Sequence, residues 1–223
     1  MTEFLALFKF SEKRHLLALQ KEGHLHCETL QYFSDIEDTI GRGDSLETVT
    51  DLYYLDENTI VNIKNVGDPD SEYKRIKINS GQLINRGETN IGNIFCLYSI
   101  RLHKFHLGKE FTIPVECKSL GDHYLIIKDA NEFLTRVKNK LTELKLDARY
   151  GYIQYKDFLT YTGKKTIFEK DIKLSYQNEF RLFIHNSENK VLDIKIGSIE
   201  DISSIGICEE LTTVNFFDNN NIS

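Results

Sequence analysis

The chain has 223 residues, a formal charge of −6 and a pI near 5.7, with hydrophobic residues at 40% and charged residues at 28%. This length and apolar content predict a single domain over residues 1–217 with one substantial core, followed by a frayed tail over 218–223. The acidic balance argues against general attraction to a nucleic-acid backbone.

The cysteine pattern and the absence of long apolar runs indicate the compartment. Cys27, Cys96, Cys117 and Cys208 follow no CxxC spacing and look like small buried hydrophobes, which predicts a reducing environment. The N-terminus has no basic region before a long apolar run, and no segment approaches about 18 apolar residues. We therefore expect a cytoplasmic protein without a membrane partner.

The first third of the chain alternates strand and helix signals. The predicted order is strand 4–10, a helix capped by Ser11 and ended by Gly23, strand 24–28, and a short amphipathic helix over 29–36. An acidic loop follows, in which Gly41 and Gly43 flank Arg42. These glycines permit a close approach of the backbone to a bound group, and a plain surface loop is the alternative.

The middle third is rich in strand signals and then contains one long helix. The predicted strands cover residues 51–55, 60–66, 73–78, 93–100 and 125–128, the first four forming a meander. Asp129 is expected to cap a helix whose apolar residues recur at spacings of three and four. Glu132 and Arg136 add an i,i+4 ion pair to this helix.

The last third returns to strands, which makes the expected fold class α+β with mainly antiparallel strands. The predicted elements are strand 149–157, a short helical turn over 168–172, strand 176–185, a hairpin partner for it over 191–196, and strands 202–208 and 212–217.

One stretch of the strand 176–185 carries charge among apolar residues. Period-two alternation places Gln177, Glu179 and Arg181 side by side on one face, where they can serve one ligand. The alternative is a solvated face on which Glu179 and Arg181 pair with residues of neighbouring strands.

Two resemblances follow from the motifs. The opening, Leu-Phe-Lys-Phe-Ser-Glu-Lys-Arg-His-Leu-Leu-Ala-Leu-Gln-Lys-Glu-Gly-His-Leu, with a late Gln-x-Glu, resembles the ADP-ribosyltransferase fold, notably DNA-targeting toxins of toxin-antitoxin systems. The acidic loop after Phe33, the Phe-Cys-Leu-Tyr-Ser strand, the helix over 129–136 and the Tyr-Gln-Asn-Glu-Phe-Arg motif resemble an uncharacterised bacterial family. That family, a domain of unknown function, is often linked to mobile elements and phage defence.

The first resemblance implies a split β core with flanking helices and NAD as substrate. It implies that Glu179 stabilises the positive charge of the transition state and that Gln177 orients the acceptor. The residues that it implies around NAD are Lys9, Phe10, Tyr98 and Ser99, with Arg42 or Arg181 on the diphosphate. The implied partners are a macromolecular acceptor, protein or nucleic acid, and either an antitoxin or a second copy of the chain.

A second functional class stays open. The same architecture could serve as a non-enzymatic module of phage defence or counter-defence, in which the face of Gln177, Glu179 and Arg181 and the basic stretch 101–109 bind a protein or nucleic acid. No metal is predicted, because no carboxylate or cysteine near the pairs His24/His26 and His103/His106 completes a recognisable ligand set.

Overall fold

The fold is known from a computed structural model, which describes residues 4–36, 42–65, 67, 70–87, 91–102 and 109–216. The described part is α+β, with mainly antiparallel strands, as the sequence predicts. The predicted tail over 218–223 lies outside the described residues. Within the described ranges, no helix combines the length and the apolar character needed to cross a membrane.

Helices are few and strands are many in the described part. The α-helices are α1 Lys13–Glu22, α2 Leu30–Asp35, α3 Val115–Lys118 and α4 Ala130–Glu143, with 3-10 helices at Ile172–Gln177, Glu200–Ile202 and Cys208–Glu210. The strands are β1 Phe4–Ser11, β2 His24–Thr29, β3 Asp51–Leu55, β4 Ile60–Ile63, β5 Lys74–Lys77, β6 Gly81–Asn85, β7 Gly92–Leu102, β8 Glu110–Thr112, β9 His123–Ile127, β10 Ala148–Tyr152, β11 Gln154–Lys156, β12 Gly163–Lys164, β13 Glu169–Asp171, β14 Glu179–His185, β15 Leu192–Lys195, β16 Ser203–Ile207 and β17 Thr213–Asn215.

The largest sheet has eight strands and is interrupted along one edge of β7. Its main path runs β10-β14-β7-β1-β9-β16, and β2 joins both β7 and β15. β7 pairs with β1 through residues 98–102 and with β2 through residues 93 and 94. Between these pairings, β1 and β2 diverge and leave residues 95–97 of β7 facing a gap. We call this gap the split.

The main core lies where α1 and α4 cover one face of this sheet. α4 begins at Asp129, whose carboxylate accepts a hydrogen bond from the backbone N–H of Glu132 at 2.9 Å. The apolar stripe of α4 is buried with residues from the central strands and α1: Phe133, Val137, Leu141, Leu7, Leu97, Leu125, Leu182, Leu16 and Leu19. Burial of this stripe, more than intrinsic propensity, stabilises the helix.

α1 ends where the sequence predicts. Gly23 has φ of +61°, and its N–H donates to the carbonyl of Ala18, as expected for a glycine that stops a helix. A Cβ at this position would lie 2.1 Å from the carbonyl oxygen of Gly197, so close packing also requires glycine. The N-terminal cap is Glu12 rather than the predicted Ser11, which belongs to β1.

Two predicted pairings are wrong. β15 pairs with β2 and not with β14, so residues 191–196 form no hairpin with the preceding strand. The strands over 51–100 form no meander, because β3 pairs with β6 and β12, β4 pairs with β5, and β7 enters the main sheet. These two errors concern strand partners rather than strand positions. The short strands β6, β8 and β12 were not predicted.

The segment before β14 also differs from the prediction. Ile172–Gln177 is a 3-10 helix, and β14 begins only at Glu179 after Asn178, whose φ is +38°. The predicted helical turn over 168–172 is instead the short strand β13. Gln177 therefore does not share a strand face with Glu179 and Arg181, although Gln177 and Glu179 both contact Lys170.

Candidate functional site

A cleft of about 560 Å³ opens at the split. β1, α1, β2 and β7 all contribute to its walls, and the segment around the 3-10 helix Ile172–Gln177 closes one end. Much of the wall is apolar or aromatic, and it includes Phe8, Phe10, Leu16, Leu19, Tyr98 and Leu120. A concave site with apolar walls and a few polar groups is the usual form of a small-molecule site.

One row of side chains crosses three neighbouring strands at the cleft. Tyr98 on β7 is directly opposite Phe8 on β1 and directly opposite Glu179 on β14. Residues directly opposite one another project from the same face of a sheet, so the phenol and the carboxylate are neighbours. The ring of Tyr98 meets those of Phe8 and Phe10 edge to face, with centroids 6.1 and 6.0 Å away.

Lys9 spans the split. Its ammonium donates to the carbonyl oxygen of Cys96 at 2.9 Å and lies 4.5 Å from the centre of the Phe95 ring. Burial lowers the pKa of Lys9, and this effect outweighs the opposing influence of Cys96, Cys27 and Glu179. Lys9 thus presents a polar group at the interruption of the sheet, where β7 has backbone groups directed toward the gap.

Glu179 is buried at the floor of the cleft and bound by two cations. One carboxylate oxygen accepts from Arg181 Nε at 2.6 Å, and the other lies 2.7 Å from Lys170 Nζ. Burial by itself would raise the pKa of Glu179, but Arg181 and Lys170 together hold it far below its usual range. The carboxylate is therefore ionised and fixed in orientation.

Arg181 lies beneath this carboxylate and is inaccessible, with an exposed fraction of 0%. Four of its five N–H donors are used: Nε on Glu179, two on the carboxylate of Glu47 at 2.9 and 2.5 Å, and one on the carbonyl of Ile167 at 2.6 Å. Arg181 therefore has no pair of N–H groups available to bind a diphosphate. Arg181 instead positions Glu179.

Lys170 completes the cluster. It lies 3.5 Å from Glu47 as well as 2.7 Å from Glu179, and it donates to the side-chain carbonyl of Gln177 at 2.9 Å. Burial lowers its pKa, but the two carboxylates raise it above the ordinary value overall. Gln177 and Glu179 are thus joined through one ammonium.

Six of the eight predicted site residues line the same cleft. They are Lys9, Phe10, Arg42, Tyr98, Gln177 and Glu179. Gly41, next to Arg42, lies outside the described residues. The two other predicted residues, Ser99 and Arg181, are separated from the cleft.

Ser99 belongs to a second hollow of about 270 Å³. Its hydroxyl donates to the carbonyl of Asn178 at 2.7 Å, and its own backbone N–H donates to the same carbonyl. Tyr98 and Glu179 also line this hollow, so the two cavities share these residues. Through its two hydrogen bonds to Asn178, Ser99 fixes the start of β14.

Two residues of the site were not singled out from the sequence as ligands of Arg181 or Glu179. Glu47 lies before β3 and bonds Arg181, and Lys170 lies in β13 and bonds Glu179. The one available signal was Arg181 itself, because an arginine within a buried strand requires more than one acceptor. The sequence offers no means of choosing Glu47 among the other acidic residues.

The comparisons with known proteins identify no relative. No model of a known protein family, no curated protein and no solved structure matches this chain. Both resemblances drawn from the sequence motifs therefore stay predictions. Of the basic stretch 101–109, residues 103–108 lie outside the described residues.

Proposed function

We propose that the protein binds NAD in the cleft at the split and transfers ADP-ribose to a macromolecular acceptor. The observation that carries this proposal is the row in which Glu179 and Tyr98 face each other across β14 and β7, beside Lys9. The choice of NAD rests on the resemblance of the motifs. The biological setting that we propose is that of a cytoplasmic toxin or phage-defence effector, a setting consistent with the free state of all four cysteines.

The dimensions and chemistry of the cleft suit a dinucleotide. About 560 Å³ falls within the roughly 300–1,000 Å³ that is typical of small-molecule sites. The aromatic wall at Phe8, Phe10 and Tyr98 suits planar rings, since offset and edge contacts with aromatic side chains are favourable. Arg42, which also lines the cleft, supplies positive charge for the diphosphate.

Glu179 is suited to the bond-breaking step. The bond between C1′ of the ribose and the nicotinamide nitrogen breaks, and its electron pair leaves with nicotinamide. The acceptor then forms a bond to C1′ and loses its proton. Because the ribose becomes oxocarbenium-like, a fixed carboxylate beside it lowers the barrier.

The surroundings of Glu179 assign roles to its neighbours. Arg181 and Lys170 hold the carboxylate in one orientation, so little reorganisation is needed during reaction. Its contacts with Arg181, Lys170 and Cys96 leave acceptor capacity for a ribose hydroxyl. Gln177, which is held by Lys170, is the residue that orients the acceptor nucleophile.

The experiment is to incubate the purified protein with NAD, with and without cell lysate, and to measure free nicotinamide. We expect release by the wild type and a decrease of about 100-fold or more in Glu179→Gln, the order found when one transition-state interaction is removed. Glu169→Gln is the matched control. Glu169 is also a buried carboxylate paired with a lysine, Lys156, but it does not line the cleft. Equal release by Glu179→Gln and wild type would refute the proposal.

A second candidate, a binding module without turnover, is favoured by one observation. Two cations neutralise Glu179, which weakens its effect on a developing positive charge. This candidate predicts that wild-type protein binds its partner protein or nucleic acid in a manner sensitive to Lys9 and Gln177, and releases no nicotinamide in either assay. If the folded wild type releases no nicotinamide with or without lysate, the binding module is favoured over the enzyme.

A further inference from the structure

Two histidines and a carboxylate of the cleft wall lie together. His24 and His26 are two residues apart on β2 and so project from one face, and Asp193 on β15 is directly opposite His26. One oxygen of Asp193 lies 2.7 Å from His24 Nε2 and 2.8 Å from His26 Nδ1. The three ligand atoms are within 4.8 Å of one another.

These separations suit a small divalent ion. Zinc binds imidazole nitrogen and carboxylate oxygen at about 2.0–2.2 Å, which places neighbouring ligand atoms of a tetrahedral site roughly 3.3 Å apart. The nitrogen and oxygen atoms would have to separate by roughly 0.5 Å to admit the ion. The side chains can make this shift because they are partly exposed, by 29% for His24, 54% for His26 and 53% for Asp193.

Glu28 adds the outer contact that metal-binding histidines usually have. Its carboxylate lies 3.2 Å from His26 Nε2, the ring nitrogen that faces away from Asp193. A hydrogen bond from this nitrogen to a carboxylate fixes the tautomer in which Nδ1 is free to bind a metal. The spacing of Glu28, two residues after His26 on the same strand, places both side chains on one face.

We propose that His24, His26 and Asp193 form a binding site for a divalent transition-metal ion, with Zn²⁺ as the ion that fits the ligand set, and that Glu28 orients His26. Two histidines and one carboxylate leave at least one coordination position open, as in sites where a metal binds a ligand rather than only supporting the fold. His24, His26 and Asp193 all line the cleft. This site is independent of the reaction proposed at Glu179.

The test is titration of chelator-treated protein with Zn²⁺ by calorimetry and with Co²⁺ by absorption. We expect one ion per chain, and a Co²⁺ spectrum without thiolate charge-transfer bands, which separates this site from any contribution of the four cysteines. His26→Ala and Asp193→Asn are expected to lower the affinity at least 100-fold. Glu28→Gln is expected to lower it about 10- to 100-fold, as for other outer contacts of metal ligands.

His185→Ala is the matched control, because His185 is also an exposed histidine on a strand but lies outside this cluster. Its affinity for Zn²⁺ is expected to equal that of the wild type. Absence of stoichiometric binding by the folded wild type would overturn the proposal. Equal affinity of the wild type, His26→Ala and Asp193→Asn would also overturn it, as would thiolate bands in the Co²⁺ spectrum.

Discussion

Replacement of Arg181 by methionine tests the buried ion cluster that positions Glu179. The described ion pairs of this cluster join two carboxylates, Glu47 and Glu179, to two cations, Lys170 and Arg181. Arg181→Met keeps much of the side-chain volume but leaves Lys170 as the one remaining ion-pair partner of both carboxylates among the described residues, with the buried Lys165 acting on Glu47 alone. Removal of one partner from a buried pair costs about 3–5 kcal/mol, whereas a typical domain has about 5–15 kcal/mol of stability in total.

The assay is urea unfolding at pH 7, followed by circular dichroism. Arg136→Met is the matched control, because Arg136 also makes several charged hydrogen bonds, to Glu132 and Asp201, but at the surface. Exposed ion pairs generally contribute up to about 1 kcal/mol, so the midpoint of this control should move little. The difference between the two variants isolates the effect of burial.

A compensating change sharpens the prediction. Adding Glu47→Gln to Arg181→Met leaves the buried carboxyl groups of Glu179 and Asp44 with the buried cations Lys170 and Lys165, so we expect the double variant to be more stable than Arg181→Met alone. The reasoning is refuted if Arg181→Met loses no more stability than Arg136→Met, or if the second substitution lowers stability further. Either result would mean that the cluster is not held together by compensation of buried charge.

Three further predictions concern pH, thiols and backbone conformation. Ion pairs hold the pKa values of Glu47 and Glu179 below the pKa of a glutamate in the unfolded chain, which is about 4.3. The stability that these two ionised carboxylates contribute is therefore complete above about pH 4.3 and is lost as the pH falls below it. Urea midpoints between pH 7 and 3 should therefore fall steeply below about pH 4.3, and a flat profile would contradict this. Burial raises the pKa of Cys27 and of Cys117 to about 12, so a thiol reagent at pH 8 should label them slowly in the native protein and rapidly in urea; equal rates would contradict their burial. Gly23→Ala should lower the free energy of unfolding by more than about 1 kcal/mol, because φ at this position is +61° and the carbonyl oxygen of Gly197 leaves no space for a Cβ. An unchanged urea midpoint would contradict this conformation of Gly23.

Local signals in the sequence predict α1, α2, α4 and most strand positions, but not α3. The ends of α1 and α4 follow from Gly23 and from the cap at Asp129, because both residues act on backbone groups within a few positions along the chain. The predicted start of β14, at residue 176, is wrong because of a local feature. Asn178 adopts a left-handed conformation that ends the 3-10 helix, and asparagine alone signals this only weakly.

The contacts that complete the candidate site are not local. Glu47 reaches Arg181 across 134 positions, and Asp193 reaches His26 across 167. The second contact depends on the pairing of β15 with β2, for which the sequence contains no turn signal. The predicted cleft residues converge because each lies on a strand or loop whose position depends on strand pairing in the sheet. That pairing depends on the whole sequence rather than on any local motif.

The central claim is that a dinucleotide occupies the cleft at the split, and a crystal structure of the protein grown with millimolar NAD tests it most directly. We expect density between β1 and β2, with a ribose hydroxyl within about 3.2 Å of the Glu179 carboxylate and the diphosphate near Arg42. Density for NAD elsewhere on the protein, or a cleft without NAD in well-ordered crystals, would contradict the claim.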